Sequence, residues 1–214
     1  MAQPIIVLDR DGVINKDSDA YIKTPEEWQP IAGSIEAIAS LSRSGVQVAV
    51  ATNQSGLGRG LFDAEQLAQM HGKMHSLVEA EGGTIAAVCY CPHVPEENCR
   101  CRKPGVGLLQ QIQSQLLIPL AGSFFIGDST KDLEAAVAFD MRPVLVRTGK
   151  GTKTEAQVEL QYPDLPIFKD LAEAVTGLGL IPSPISSTGV YSAGTGKPLP
   201  NTSNSPAPVK KDPD

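Results

Sequence analysis

The stretch PIIVLDRDG, residues 4–12, decides the fold. A short β-branched run stops abruptly at Asp9 and Asp11, two carboxylates two residues apart, followed by Gly12. Such a run suits a strand buried on both faces of a parallel sheet, with its polar residues emerging at the carboxyl end. Four later runs have the same form, at residues 46–51, 84–90, 123–126 and 143–146. The second strand passes into Thr52-Asn53-Gln54-Ser55-Gly56, and the fourth into Gly127-Asp128.

Helical patterns fall between these runs, at 34–43, 63–81, 106–117 and 131–139. The first places Ile35, Ile38, Ala39 and Leu41 on one side and stops at Gly45, while the second opens with Asp63 and Gln66 in capping-box spacing. Strand and helix therefore alternate. The expected fold is α/β, a doubly wound, mainly parallel sheet of Rossmann-like type, without a large cap domain. Ligands of such a sheet bind outside the carboxyl ends of the strands, where strand order reverses. With strands two and four flanking strand one, Asp9, Thr52 and Asp128 meet in one crevice.

The chain has 214 residues, 41% hydrophobic, with a formal net charge of -6. That length fits one domain, placed at residues 1–181, plus an extension. In residues 182–214, Pro, Ser and Gly supply 16 of 33 positions. So little apolar surface cannot offset the entropy of ordering, and a disordered tail is expected. The absence of a basic cluster speaks against nucleic acid as a partner. No apolar run approaches the roughly 20 residues that span a bilayer. The opening residues lack a basic region and cleavage site, so a cytoplasmic location is expected; a monomer acting on a small molecule is expected as well.

Asp9 and Asp11 on one tight turn can divide roles, one attacking phosphorus and the other moving a proton. The plainer alternative is an Asp-rich turn that only ends a strand. Asp128 and Asp132, four residues apart in Gly127-Asp128-Ser129-Thr130-Lys131-Asp132, supply hard oxygen donors of the kind Mg²⁺ takes. Read singly, Asp128 or Ser129 is equally an ordinary helix cap. Thr52 and the polar loop after it form a seat for phosphate oxygens. Arg59 either reaches a second anionic group or stays solvated. Lys103, just before a helix, either neutralises phosphate in the crevice or lies on the surface.

All four cysteines, Cys89, Cys91, Cys99 and Cys101, fall within thirteen positions. In a reducing compartment this crowding points to metal rather than disulfides. Cys91, His93, Cys99 and Cys101 can close a tetrahedral Zn²⁺ site with no open position, which makes the metal a staple for a short loop. The alternative is two reduced cysteine pairs beside an incidental histidine. Cys89 is expected to be buried inside the third strand. His71 and His75, four apart on a helix, are read as structural or solvent-facing.

The Asp-x-Asp-Gly turn, the Thr after strand two, the Lys before a helix and the Gly-Asp-x-x-x-Asp end together resemble the haloacid dehalogenase superfamily of phosphohydrolases. The resemblance implies that Asp9 is the nucleophile and Asp11 the general acid and base. It further implies that Thr52 and Lys103 hold the transferring phosphoryl group. Mg²⁺ would be held by Asp9, the carbonyl of Asp11, and Asp128. The Cys-Pro-His loop and Cys-Arg-Lys-Pro narrow the likeness to the subgroup acting on heptose 1,7-bisphosphate, in ADP-heptose and lipopolysaccharide core synthesis, or on histidinol phosphate. It implies substrate contacts from Asp17, Ser18, Asp19, Ala20 and Tyr21, from Thr52, Asn53, Gln54 and Ser55, and from Arg102, Lys103 and Ser129. A phosphate-binding or zinc-loop module without catalysis is the contrasting reading.

Overall fold

The computed structural model describes residues 4–181. The tail expected at 182–214 lies outside the described residues.

Six strands form one parallel sheet in the order β3-β2-β1-β4-β5-β6. They are β1 (Ile5–Leu8), β2 (Gln47–Asn53), β3 (Ala87–Cys91), β4 (Phe124–Gly127), β5 (Arg142–Val146) and β6 (Ile167–Phe168). β1 pairs with β2 through Val7↔Ala49 and with β4 through Val7↔Phe125. The chain thus winds outward from β1 to β3, returns to lay β4 beside β1, and winds outward again. β1 stands at the switch point, as its sequence requires.

Helices cover both faces, and β1 shows why. Ile6 and Leu8 pack with Ile35, Ile38 and Leu41 of α1 (Ser34–Arg43), with α3 (Ala64–Ala80), and with Leu171 and Val175 of α7 (Leu171–Gly177). Ile5 and Val7 turn to the other face, against Leu108 and Ile112 of α4 (Gly107–Leu116) and Ala135 and Ala136 of α5 (Thr130–Ala138). Alternation of side chains along a strand makes every residue of the run a core residue. Truncating Leu8 to Ala would cost on the order of 2–5 kcal/mol.

Asp63 caps α3 as its spacing predicts: its Oδ1 accepts from Gln66 N at 2.8 Å, and Gln66 Oε1 accepts from Asp63 N at 2.9 Å. The third strand starts at Ala87 rather than Thr84, because Thr84 N is drawn off to Ser42 Oγ at 3.1 Å. Beyond β5 the structure adds α6 (Gly151–Val158), β6 and α7, none of which the apolar periodicity announced. The single-turn α2 (Ser55–Gly58) also went unread. No inserted domain separates β1 from α1; the connection is a loop that sends Val13, Ile14, Ile22 and Trp28 into the core.

Candidate active site

Asp9 continues β1 by one residue, its N–H donating to the Ile126 carbonyl at 3.0 Å. Its Oδ1 accepts from Arg10 N at 2.7 Å and lies 2.9 Å from Lys103 Nζ. The Lys103 ammonium also lies 2.6 Å from Asp132 Oδ1 and donates to the Ala51 carbonyl at 2.7 Å. Lys103 is only 2% exposed, so its three protons are met by three oxygens inside the protein. Burial alone would lower its pKa, but Asp132 and Asp9 outweigh burial and hold the ammonium above its ordinary range. Asp132 is thereby a partner of Lys103; its other oxygen accepts from Ser129 N at 3.0 Å and Ser129 Oγ at 2.6 Å.

Asp11 sits in a cage of donors. Arg10 reaches it through Nε at 3.1 Å and Nη2 at 3.0 Å, Asn15 Nδ2 at 2.8 Å, and Gln54 Nε2 at 2.7 Å. Burial would raise its pKa, but Arg10 and the two amides overcome this and keep the carboxyl ionised. Arg10 is itself buried, with Nη1 3.2 Å from His71 Nε2. Burial and the neighbouring Arg10 push the His71 pKa down to about 3, so the ring is neutral and accepts from the guanidinium.

Asp128 leaves β4 beneath two glycine turns. A Cβ at Gly12 (φ +84) or at Gly149 (φ +57) would overlap Asp128 Oδ2. Both positions also lie in the left-handed region that favours glycine. The same Oδ2 accepts from Lys150 N at 2.7 Å, and the Asp128 carbonyl accepts from Thr154 Oγ1 at 2.8 Å. Burial pushes the Asp128 carboxyl up to about 8, helped by Asp9 and Asp132. Burial likewise pushes Asp9 up to about 7 against the pull of Lys103. Carboxylate oxygens of Asp9, Asp128 and Asp132 lie within 4.8 Å of one another. Crowded, buried acids short of positive charge are the donor set that a hard dication relieves.

One cavity of about 440 Å³ gathers these groups. Asp9, Asp11, Thr52, Lys103 and Asp128 line it, together with Asp17, Ser18, Asp19, Tyr21, Asn53, Gln54, Ser55, Arg102 and Ser129. Ala20 stands apart from these: it is exposed and off the cavity wall, at the apex of the Ser18–Tyr21 turn. Arg59 is also away from the wall, 40% exposed and 3.9 Å from Glu96. Asn53 and Gln54 line the cavity with amides already engaged. Asn53 holds the Lys103 backbone, while Gln54 Nε2 donates to Asp11 and to Thr52 Oγ1 at 2.9 Å and its Oε1 accepts from Arg10.

Four cation-bearing or supporting residues escaped the sequence reading: Arg10 behind Asp11, and Lys131, Lys150 and Lys153 on the wall. Lys150 follows β5 at its carboxyl end, so the rule that located Asp9, Thr52 and Asp128 would have reached it.

The cysteine cluster stands beside this cavity. Cys91, His93, Cys99 and Cys101 hold their donor atoms within 4.8 Å of one another, and all cysteines are free thiols. Five of the cluster's contacts measure 3.2–3.6 Å, from His93 Nδ1–Cys101 Sγ to Cys91 Sγ–Cys99 Sγ. A tetrahedron with metal–sulfur bonds of about 2.3 Å has edges of roughly 3.8 Å. The thiols and imidazole are therefore arranged as a closed four-donor set. Cys89 is buried outside it, its Sγ 3.8 Å from Gln115 Oε1. Arg102 and Lys103 follow Cys101 directly, and Arg102 Nη1 donates back to the His93 carbonyl at 3.3 Å.

Comparison with known proteins shows the family to which this fold belongs. Residues 100–174 match the family model described as HAD-hydrolase-like. The Pseudomonas aeruginosa protein named D-glycero-beta-D-manno-heptose-1,7-bisphosphate 7-phosphatase is 52% identical over 178 residues, covering 83% of this chain and 99% of its own. The Escherichia coli K12 protein of the same name is 37% identical over 180 residues, covering 80% of this chain and 93% of its own. A crystal structure described as the D,D-heptose 1.7-bisphosphate phosphatase from B. bronchiseptica complexed with magnesium and phosphate superposes with a TM-score of 0.78 at 45% identity. It covers 82% of this chain and 97% of that one.

Proposed function

Because this chain belongs to the HAD-like family of D-glycero-beta-D-manno-heptose-1,7-bisphosphate 7-phosphatases, we propose that it hydrolyses the 7-phosphate of that sugar bisphosphate through an aspartyl-phosphate. In a cell that makes lipopolysaccharide, the product would feed ADP-heptose synthesis. The observation that carries the reading is the convergence of Asp9, Asp11, Lys103 and Asp128 in one cavity at the sheet's switch point. A module that only bound phosphate would have no use for two buried acids with opposed pKa shifts.

Asp9 Oδ1 is taken by Arg10 N and Lys103, so Oδ2 is the oxygen that attacks phosphorus. Its bond to phosphorus forms as the phosphorus–O7 bond breaks, and Asp11 gives the departing alkoxide a proton. Resting Asp11 is ionised; an arriving phosphate dianion raises its proton affinity, which lets it carry that proton. Asp11 then takes a proton from water, whose oxygen attacks phosphorus and restores Asp9. Thr52 Oγ1 already accepts from Gln54, so its own proton is free for a phosphoryl oxygen. Lys103, itself buried, fixes the attacking carboxylate and offsets charge beside it.

The Asp9 and Asp128 carboxylates and the Asp11 carbonyl would hold Mg²⁺, which when bound neutralises the crowded acids and the phosphate. Cys91, His93, Cys99 and Cys101 would hold Zn²⁺ as a structural staple. The heptose substrate is favoured over histidinol phosphate, since the relatives compared above are named for the heptose bisphosphate.

The test is phosphate release by the purified chain from heptose 1,7-bisphosphate, histidinol phosphate and a 3′-phosphorylated oligonucleotide. The bisphosphate should be turned over with kcat/KM at least about 100-fold above the others, the scale of about 2.8 kcal/mol of differential transition-state binding. A preference for histidinol phosphate overturns the substrate. No phosphate release from any of the three overturns the activity.

A further inference from the structure

The cavity wall carries more positive charge than one transferring phosphate requires. Beyond Lys103, it presents Arg102, Lys131, Lys150 and Lys153. Among the described residues, Lys150 alone of these four has a carboxylate within ion-pair distance, its Nζ 2.7 Å from Asp17 Oδ2. The pair sits where solvent still reaches it, with Lys150 56% and Asp17 18% exposed. Ion pairs this open contribute only about 0–1 kcal/mol, so the ammonium can leave at little cost.

The base of Lys150, by contrast, is fixed. Its N–H donates to Asp128 Oδ2 at 2.7 Å, and Thr148 Oγ1 donates to the Gly12 carbonyl at 2.6 Å. Gly149 packs directly on Gly12 and Asp128. An exposed cation therefore stands on a backbone locked to the proposed phosphate-transfer centre. Asp17 belongs to the loop that faces it across the cavity.

We propose that Lys150 is a specificity-determining residue, whose ammonium moves from Asp17 to the phosphate that is not hydrolysed. A phosphate dianion offers more charge and more acceptor oxygens than one carboxylate, so the exchange runs forward when that group arrives. Asp17, released, becomes an acceptor for sugar hydroxyls. Arg102 and Lys131, with no carboxylate in ion-pair distance among the described residues, gain the same anion. A substrate without the second phosphate leaves Lys150 on Asp17. This inference rests on the sugar-bisphosphate reading above.

The experiment compares kcat/KM for heptose 1,7-bisphosphate with that for heptose 7-phosphate, in wild type, Lys150→Met and Lys150→Arg. The ratio of the two values cancels any general damage to the site, and both variants keep the backbone N–H on Asp128. Lys150→Met should lower the ratio about tenfold or more, mainly through KM for the bisphosphate, as loss of a charge-assisted contact does. Lys150→Arg should hold the ratio within about threefold, the guanidinium supplying the same charge. If wild type prefers the bisphosphate and Lys150→Met keeps that preference, the role given to Lys150 is overturned while the substrate reading stands. A wild type that does not distinguish the two sugars overturns both.

Discussion

Asn53 grips Lys103 from both sides of its backbone: the amide Oδ1 accepts from Lys103 N at 3.0 Å, and Nδ2 donates to the Lys103 carbonyl at 3.1 Å. Asn53 ends β2, and Lys103 ends the cysteine loop fifty residues later, so this clamp ties the loop to the sheet. Asn53→Ala should lower kcat by about 10–100-fold, since misplacing a positioned group by an ångström costs up to about 100-fold. The fold should survive, because the side chain is only partly buried. Kinetics beside a thermal melt decides the matter; an unchanged kcat would show that Lys103 needs no clamp.

Asp9→Asn should abolish turnover, falling at least about 10³-fold, because an amide cannot form the acyl-phosphate. Removing the charge also relieves the crowding of Asp9 with Asp132, Asp11 and Asp128, so the variant should melt no lower than wild type in metal-free buffer. Near-normal hydrolysis by the variant would exclude Asp9 as nucleophile.

The same crowding sets a pH dependence for metal-stripped protein. Asp9 rises from 3.8 to about 7, and Asp128 from 3.8 to about 8. A carboxyl raised on folding favours the native state while protonated. Its contribution is complete below the unfolded value near 3.8 and is lost as pH rises toward the folded value. Stability in chelator should therefore decline between about pH 5 and pH 8. Added Mg²⁺ should restore more of it at pH 8 than at pH 5, because cation and proton compete for the same oxygens. Melting temperatures with chelator and with Mg²⁺ at both pH values test this; a Mg²⁺ effect that is larger at pH 5 would reverse the assignment.

The central sheet was legible because its strands are uniform apolar runs, and its crevice because each run ends in a polar residue. Asp9, Thr52 and Asp128 meet for that reason alone. What escaped has different causes. α6 is a polar helix that buries only Gly151, Thr154 and Val158, and β6 has two residues, too few to show any period. The engagement of Asn53 and Gln54 with Lys103 and Asp11 is long-range pairing, and an amide reads alike whether it faces substrate or a neighbouring chain segment. Arg10 between two acids looked like a charge in a turn; only the fold brings His71 of α3 behind it. Arg59 was misleading for the opposite reason, since the short α2 carries it away toward Glu96.

Cys99→Ser should separate structure from chemistry in the cysteine loop. The cluster's four donors bring no open position, so a Zn²⁺ held there would contribute folding energy without touching substrate. The loop between Cys91 and Cys101 buries little: Val94, Glu96 and Asn98 have no place in the core clusters, and a single turn at Pro95–Glu97 is its only regular structure. Losing one thiolate should lower zinc content and loosen this loop, measured as a lower melting temperature and faster amide exchange at residues 92–102. Lys103 is held from both ends, by the loop before it and by Asn53 beside it, so activity should fall without vanishing, by about 10-fold or more. Mg²⁺ should remain necessary for the residual turnover, because Asp9 and Asp128 lie on β1 and β4 ends that the loop does not support. Metal analysis beside kinetics carries the test. Wild type without zinc from a reducing, zinc-replete preparation would refute the staple. A variant that loses zinc yet keeps full turnover would show that Asn53 and the sheet hold Lys103 unaided.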